Sequence, residues 1–282
     1  MTRRLLLVAL LALGLAAGCD TPERLAFPQG STMEKIQTAG TVTVGVKFDQ
    51  PGIGFRNLAT AKLEGFDIEI AKIVARRLGI KADRIRWTRT VSREREAYLQ
   101  GDQVDFVVAS FSINAERRQE VGQAGPYYVA GQQLLVRKGD DRIGGPEDLA
   151  THQVCTVTGS TSLQTLVAKY DAQTVARDTY TECVQLLLRD EVDAVSTDDA
   201  ILLGYVAEQP DKLKVVGRPF THEEYGIGYR FGDAAFCQFL TETLRLARED
   251  GSWAAAFDRT LGKAGVPRPA PPEPMPCVEP SG

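Results

Sequence analysis

The order of apolar runs constrains this chain more than any other feature. Short β-rich runs alternate with stretches of helical periodicity, and the alternation starts twice. Thr41–Val46 (TVTVGV) reads as a strand. GFDIEIAKIVARRLG then places Ile70, Ile73, Val74 and Leu78 on one helical face, and Gly79 is suited to end that helix. Ile85–Thr90 reads as a strand, the stretch after Ser92 as a helix, and Val104–Ser110 as a buried strand. The pattern restarts with strand Gln132–Gly139, a short helix at PEDLA, strand HQVCTV, and helices at TSLQTLVAKY and TECVQLLLRDE. VDAVS, KLKVVG and EEYGIGYRF read as further strands, with a helix at DAILLGYVAEQ and two helices closing the pattern around Gly251. Such alternation argues for α/β architecture with largely parallel sheets.

Two lobes of similar size follow. The chain is expected to cross between them near Val129–Gln133 and to return near Arg218–Tyr225. Two crossings make a hinge and a cleft, a common place for small ligands. The expected layout is a signal segment at 1–18, a tether at 19–35, lobe 1 at 36–130 and 221–264, lobe 2 at 131–220, and a tail at 265–282. The tail holds half of the 14 prolines and reads as extended chain.

Composition narrows the function classes. A chain of 282 residues, 43% of them hydrophobic, can bury sizeable cores. Net charge is −4 and no Lys/Arg-rich stripe occurs, which argues against a nucleic-acid partner. The two histidines, and the lack of CxxC, HExxH or a phosphate-binding glycine loop, argue against a metal site or a His-based triad. No catalytic residue, metal or cofactor is expected.

Arg3 and Arg4 precede an apolar run from Leu5 to Ala17, too short to span a bilayer. The run ends in LAAGC and resembles a bacterial lipoprotein signal, which implies cleavage before Cys19 and a diacyl anchor there. An extracytoplasmic, membrane-anchored protein is the expectation. That compartment permits disulfides. The remaining four cysteines allow three pairings. The favoured one is Cys155–Cys183, within one lobe, with Cys237–Cys277 pinning the tail to a helix.

Five blocks, in order, resemble the family 3 extracellular solute-binding proteins, which serve polar amino acid ABC transporters. They are GFDIEIAKIVARRL (65–78), ASFSINAERRQEVGQAGPYY (109–128), TVTGSTS (156–162), VDAVSTDDAILLG (192–204) and EEYGIGY (223–229). The resemblance runs from about Ile36 to Gly262. It implies a type II periplasmic-binding-protein (Venus flytrap) fold, a monomer that binds rather than transforms its ligand, and ABC permease subunits as partners. Within the family the chain most resembles the glutamate/aspartate and glutamine binders.

The resemblance assigns roles residue by residue. Arg117, in AERR, corresponds to the arginine that takes the ligand's α-carboxylate, as its planar fork allows. Ser110 and Ser112 alternate on the preceding extended segment and offer further donors. Ser160 and Thr161, in a strand-to-helix loop, bring lobe 2 to the same carboxylate, and they can cap the helix at the same time. Asp198 is expected to hold the α-ammonium, with Asp199 as a helix cap. Lys47 and Arg95 stand where acidic-amino-acid binders carry arginines, so together they would neutralise a side-chain carboxylate. Arg89 is a spare candidate, Arg118 a solvated one, and Phe48, Phe55 and Tyr225 are candidate walls. L-Glutamate or L-aspartate is the expected ligand. Glutamine or asparagine binding is the main alternative; a lipid-anchored sensor and a periplasmic dehydratase on the same fold are others.

Overall fold

The computed structural model describes residues 25–277. The signal segment and Cys19 lie outside the described residues, as do 278–282. Two five-stranded sheets carry the architecture. The first runs, in spatial order, Ile85–Arg89, Val42–Val46, Phe106–Val108, Glu223–Tyr229 and Gly122–Ala130. The second runs Gln173–Arg177, Gln153–Val157, Ala194–Asp198, Gln132–Arg137 and Leu213–Val216. The first three strands of each sheet are parallel. The fourth is antiparallel and has just arrived from the other sheet. The two-lobed α/β architecture expected from the sequence is therefore the one adopted.

Burial explains the strand choice. Val42, Val44 and Val46 point to one face of their strand and are buried there, with Gly45 buried and Thr43 half-buried on the other face. The helix Phe66–Arg77 lays Ile70, Ile73 and Val74 on the first sheet's core, with Arg76 and Arg77 in its last turn favouring the helix dipole. Phe66 packs edge-on against Trp253, Phe257 and Tyr128, closing the outer face of lobe 1.

The chain leaves the first sheet at Ala130 and enters the second at Gln132, so Gly131 alone makes the outward crossing. A Cβ there would come within 2.6 Å of the Pro219 ring and 2.8 Å of the Thr221 carbonyl on the returning segment. The two crossings can lie side by side only because this position has no side chain. Gln132 N donates to Thr221 Oγ1 and Phe220 N to Gln132 O, binding the crossings together.

Three local features depart from the sequence reading. A helix, Thr32–Ala39, occupies part of the expected tether. Ser31 caps it by accepting from Glu34 N, and Met33 and Ile36 bury themselves in lobe 1. The edge strand Gln173–Arg177 had no forecast, because its residues are largely exposed and give no alternation. A small sheet of Asp49–Gln50, Gly54–Arg56 and Leu63–Glu64 also forms where the sequence pattern gave no element.

Disulfides join Cys155 to Cys183 and Cys237 to Cys277. The first ties a central lobe 2 strand to the helix Tyr180–Leu188. The second holds the proline-rich tail on the helix Ala234–Glu249, where Met275 N donates to Gly125 O. Among the described residues no helix is long and apolar enough to cross a membrane.

Candidate functional site

A small cavity lies between the lobes. Lobe 1 supplies Ser92, Arg95, Ser110, Ser112 and Arg117 to its wall. Lobe 2 supplies Ser160, Thr161, Ser162, Tyr180, Thr197, Asp198 and Ile201. Seven of the eight side chains expected to bind ligand thus line one cavity, and Lys47 stands directly behind it. Its Nζ donates to Ser92 Oγ at 2.7 Å.

The two arginines form the cationic wall. Arg117 Nε donates to Glu96 Oε1 at 3.1 Å, Nη1 to Ser112 O at 2.7 Å and Nη2 to Gly159 O at 3.0 Å. Arg95 donates to the carbonyls of Ser92, Ala109, Ser110 and Gly159. Both guanidiniums sit over the Phe111 ring, at 4.3 Å for Arg95 and 4.9 Å for Arg117. The ring's negative face favours both cations and fixes their height in the site. Burial lowers the pKa of Arg95, and the neighbouring Arg117 charge lowers it further. Burial also pulls the Lys47 ammonium well below its ordinary pKa, with Arg95 adding to the effect. Both arginines disfavour the Lys47 charge, while Asp49 and Asp67 favour it and Glu96 favours the Arg117 charge.

Local backbone explains why donors and acceptors face inward. Ser110 adopts a left-handed conformation (φ 43°), strained for a serine. Asp67 secures it by accepting from Ser110 N at 2.8 Å while also accepting from Tyr127 OH. Burial pushes the Asp67 carboxyl up to about 6. Gly159 is also left-handed (φ 78°), and a Cβ there would come within 2.7 Å of Arg93 Cα. This glycine lets the lobe 2 loop bring its carbonyl to both guanidiniums.

The opposite wall is acidic. Asp198 ends strand Ala194–Asp198 and caps the helix Asp199–Glu208 by position. Its Oδ2 accepts from Tyr225 OH at 2.5 Å, while Oδ1 is buried without a partner. Burial raises its pKa to about 7, and the nearby Glu223 carboxylate contributes. Asp199 instead caps its own helix, accepting from Ala200 N and from Gly131 N at the hinge.

Ser160 and Thr161 line the cavity as expected, and other candidates lie elsewhere. The Ser160 hydroxyl donates to Val157 O and accepts from Leu163 N, so it is committed to the helix cap. Thr161 Oγ1 donates across the cleft to Glu223 Oε2 at 2.9 Å. Arg89 is exposed, and Phe48 and Phe55 are half-buried away from the cavity wall. Hydrophobic walling comes from Tyr180 and Ile201, with Phe111 beneath the arginines. Sequence reasoning missed these three and Glu223. For Glu223 a signal existed: it lies two residues before Tyr225, on the same face of a strand.

Residues 42–263 match the model of the bacterial extracellular solute-binding proteins, family 3. The chain belongs to this family. The glutamate-binding protein GluB of Corynebacterium efficiens is 37% identical across 79% of this chain and 80% of its own length. The glutamine-binding protein of Geobacillus stearothermophilus is 34% identical across 85% of this chain and 95% of its own. Among solved structures, an arginine-binding protein variant (ArgBP) of T. maritima superposes with a TM-score of 0.76 at 28% identity, covering 82% of this chain and 99% of that one. The L-cysteine solute receptor of Neisseria gonorrhoeae gives 0.78 at 25%, covering 83% and 95%. The fold of this family 3 member is accordingly the two-lobed type II periplasmic-binding-protein fold. Chemically, its cleft can hold a carboxylate on the arginine wall and an ammonium on the acidic wall.

Proposed function

We propose that this chain captures an amino acid outside the cytoplasmic membrane for an ABC importer, with L-glutamate or L-aspartate as its preferred ligand. Lobe 1 holds the α-carboxylate through Arg117. Lobe 2 then closes, bringing Thr161 and Asp198 to the carboxylate and ammonium. Only the closed state partners all charged groups of the ligand, so the ligand shifts the population toward it. The closed form docks on the permease as a monomer, and Cys19 carries the lipid anchor. The chain binds and releases its ligand unchanged.

The observation that carries the acidic preference is the pair Arg95 and Arg117 in the cavity wall, with Lys47 buried behind Ser92. Arg117 already pairs with Glu96, so Arg95 and, through Ser92, Lys47 are the cations that a second carboxylate would meet. The 37% identity to a glutamate-binding protein supports the same reading. Glutamine is favoured by a separate observation: Ser92 Oγ stands between Lys47 Nζ and the cavity.

A thermal-shift screen of the twenty amino acids, followed by calorimetry, tests both. Glutamate or aspartate should stabilise most, by RT ln(1 + [L]/Kd). A larger shift with glutamine overturns the acidic preference, and no shift with any amino acid overturns the binding role. Cys19→Ala should move the protein from the membrane to the soluble extracytoplasmic fraction. Wild-type protein whose Cys19 carries no lipid by mass spectrometry would exclude the anchor.

A further inference from the structure

We infer that Glu223 is a second receptor for the ligand's α-ammonium, shared with Asp198, and that it makes the site select 2-amino acids over 2-hydroxy acids. The inference rests on the amino-acid-binding reading above and adds a specificity-determining residue to it.

Sheet register places the two acids. Asp198 lies opposite Gln132 in the second sheet, and Glu223 lies opposite Ala130 in the first. They therefore flank Gly131 on its two sides, one from each lobe, next to the hinge itself. Glu223 is 7% exposed and Asp198 4%. Thr161, which lines the cavity, donates to Glu223 Oε2 and lies 3.4 Å from Ser112 Oγ. That bond ties the Glu223 carboxylate to the cavity rim.

The charge on Glu223 lacks a dedicated partner. Among the described residues no ion pair includes it, and Arg117, whose field favours it, spends Nε on Glu96. Asp198 has a hydroxyl on Oδ2 and nothing on Oδ1. Two nearby buried carboxylates repel, and a cation between them removes the conflict. An ammonium fits, because it offers three donors and no acceptor. A hydroxyl in its place offers one donor and no charge, so it can serve one acid and leaves the other stranded.

The test compares L-glutamate with L-2-hydroxyglutarate, which differ only in ammonium against hydroxyl. Calorimetry and competition on the wild type, Glu223→Gln, Glu223→Asp and Thr161→Val give the affinity ratio of the two ligands. Glu223→Gln should weaken glutamate by about 30-fold or more, the usual loss for one partner of a buried charge pair. It should leave the hydroxy acid within about threefold, as one repulsive charge is gone. Glu223→Asp keeps the charge on a shorter arm and should give an intermediate ratio, and it serves as the readout should Glu223→Gln fold poorly. Thr161→Val removes the hydroxyl from Glu223 but keeps both acids, so both ligands should weaken together.

A glutamate-to-hydroxyglutarate ratio unchanged in the Glu223 variants, with both ligands weakened as in Thr161→Val, overturns the inference: Glu223 then only holds the lobes together. A wild type that binds neither probe overturns the acidic-ligand reading and this inference with it. A wild type that binds glutamate with unchanged selectivity in Glu223→Gln overturns this inference alone.

Discussion

Replacing Arg117 with Met isolates the guanidinium while keeping most of the side-chain length. In the structure this group is buried, and it donates to Glu96, Ser112 O and Gly159 O. A ligand carboxylate entering the cleft would find in the variant no fork to receive it. Stranding one partner of a buried pair costs about 3–5 kcal/mol. At about 1.4 kcal/mol per decade, that is a loss of about two to four orders of magnitude in affinity for L-glutamate. Stability without ligand should respond differently. Arg95 and Arg117 stack over the same Phe111 ring and donate to the same carbonyl, and each charge disfavours the other. Removing one relieves that repulsion and offsets part of the lost hydrogen bonding. The ligand-free unfolding free energy should therefore change by no more than about 1–2 kcal/mol, within the common range for single substitutions. Isothermal titration of refolded, ligand-stripped protein gives the affinity, and urea denaturation gives the stability. An affinity within threefold of wild type would refute the placement of the carboxylate on Arg117. A large loss of ligand-free stability would instead mark Arg117 as a structural residue.

Lys47→Gln should shift selectivity from glutamate toward glutamine by about ten- to a hundredfold, the worth of one charge-assisted hydrogen bond of about 1.5–3 kcal/mol; an unchanged ratio in paired titrations would place Lys47 outside recognition. Asp198, raised to about 7 mainly by burial, must ionise to meet an ammonium. Ligand uptake at pH 6 should then release a proton, seen as a buffer-dependent binding enthalpy, and affinity should rise with pH and level off above about 7. The same carboxyl is neutral in both folded and unfolded chains at low pH, and above its ordinary range only the unfolded chain ionises it freely. Ligand-free stability should therefore fall as pH rises from about 4 to about 7 and level off above it, and Asp198→Asn should flatten that slope. Peptide mapping without reduction should return Cys155–Cys183 and Cys237–Cys277. Removing either bridge should lower stability by about 3–4 kcal/mol, from loop closures of 28 and 40 residues, and a crossed pair in the map would contradict the fold.

What the sequence made legible is what periodicity and charge can carry. Ile70, Ile73 and Val74 announce a helix face because their spacing matches 3.6 residues per turn, and they pack on the lobe 1 core. Arg117 and Asp198 are singled out by the family resemblance of the blocks that hold them, since a charged residue at a helix start or a strand end is by itself ordinary. The edge strand Gln173–Arg177 stayed hidden because an exposed strand carries no alternation of burial. The helix Thr32–Ala39 stayed hidden behind prolines and a short apolar pattern, although Ser31 and Glu34 have the spacing of a helix start. Within the site, residue type was easier to read than orientation. Ser160 has the right chemistry for a carboxylate, yet its hydroxyl is spent on Val157 and Leu163. Lys47 follows its strand as expected, but its ammonium ends on Ser92, a contact between residues 45 positions apart that no local pattern encodes. Glu223 could be read as sharing a strand face with Tyr225, but its placement across Gly131 from Asp198 comes from the register of the two sheets.

The interlobe contacts fall into two sets with different dependence on ligand. One set passes through the cavity: both arginines to Gly159 O, Thr161 to Glu223, and Tyr225 to Asp198. The other lies outside it. Asp49 of lobe 1 accepts from Tyr180 N at the start of a lobe 2 helix, and its carbonyl accepts from Thr181 and Tyr205. That set stabilises closure with no ligand group involved, and the carboxylate at a helix N-terminus adds a favourable dipole interaction. Ligand can shift the equilibrium only through contacts that differ between open and closed states, so selectivity belongs to the first set and the baseline population to the second. The hinge connects them. Asp198, in the cavity wall, is followed by Asp199, whose N–H donates to Gly131 O and whose carboxylate accepts from Gly131 N. The residue proposed to meet the ammonium and the residue that holds the crossing are adjacent in the chain. A change in how Asp198 is held therefore reaches the pivot through a single peptide bond.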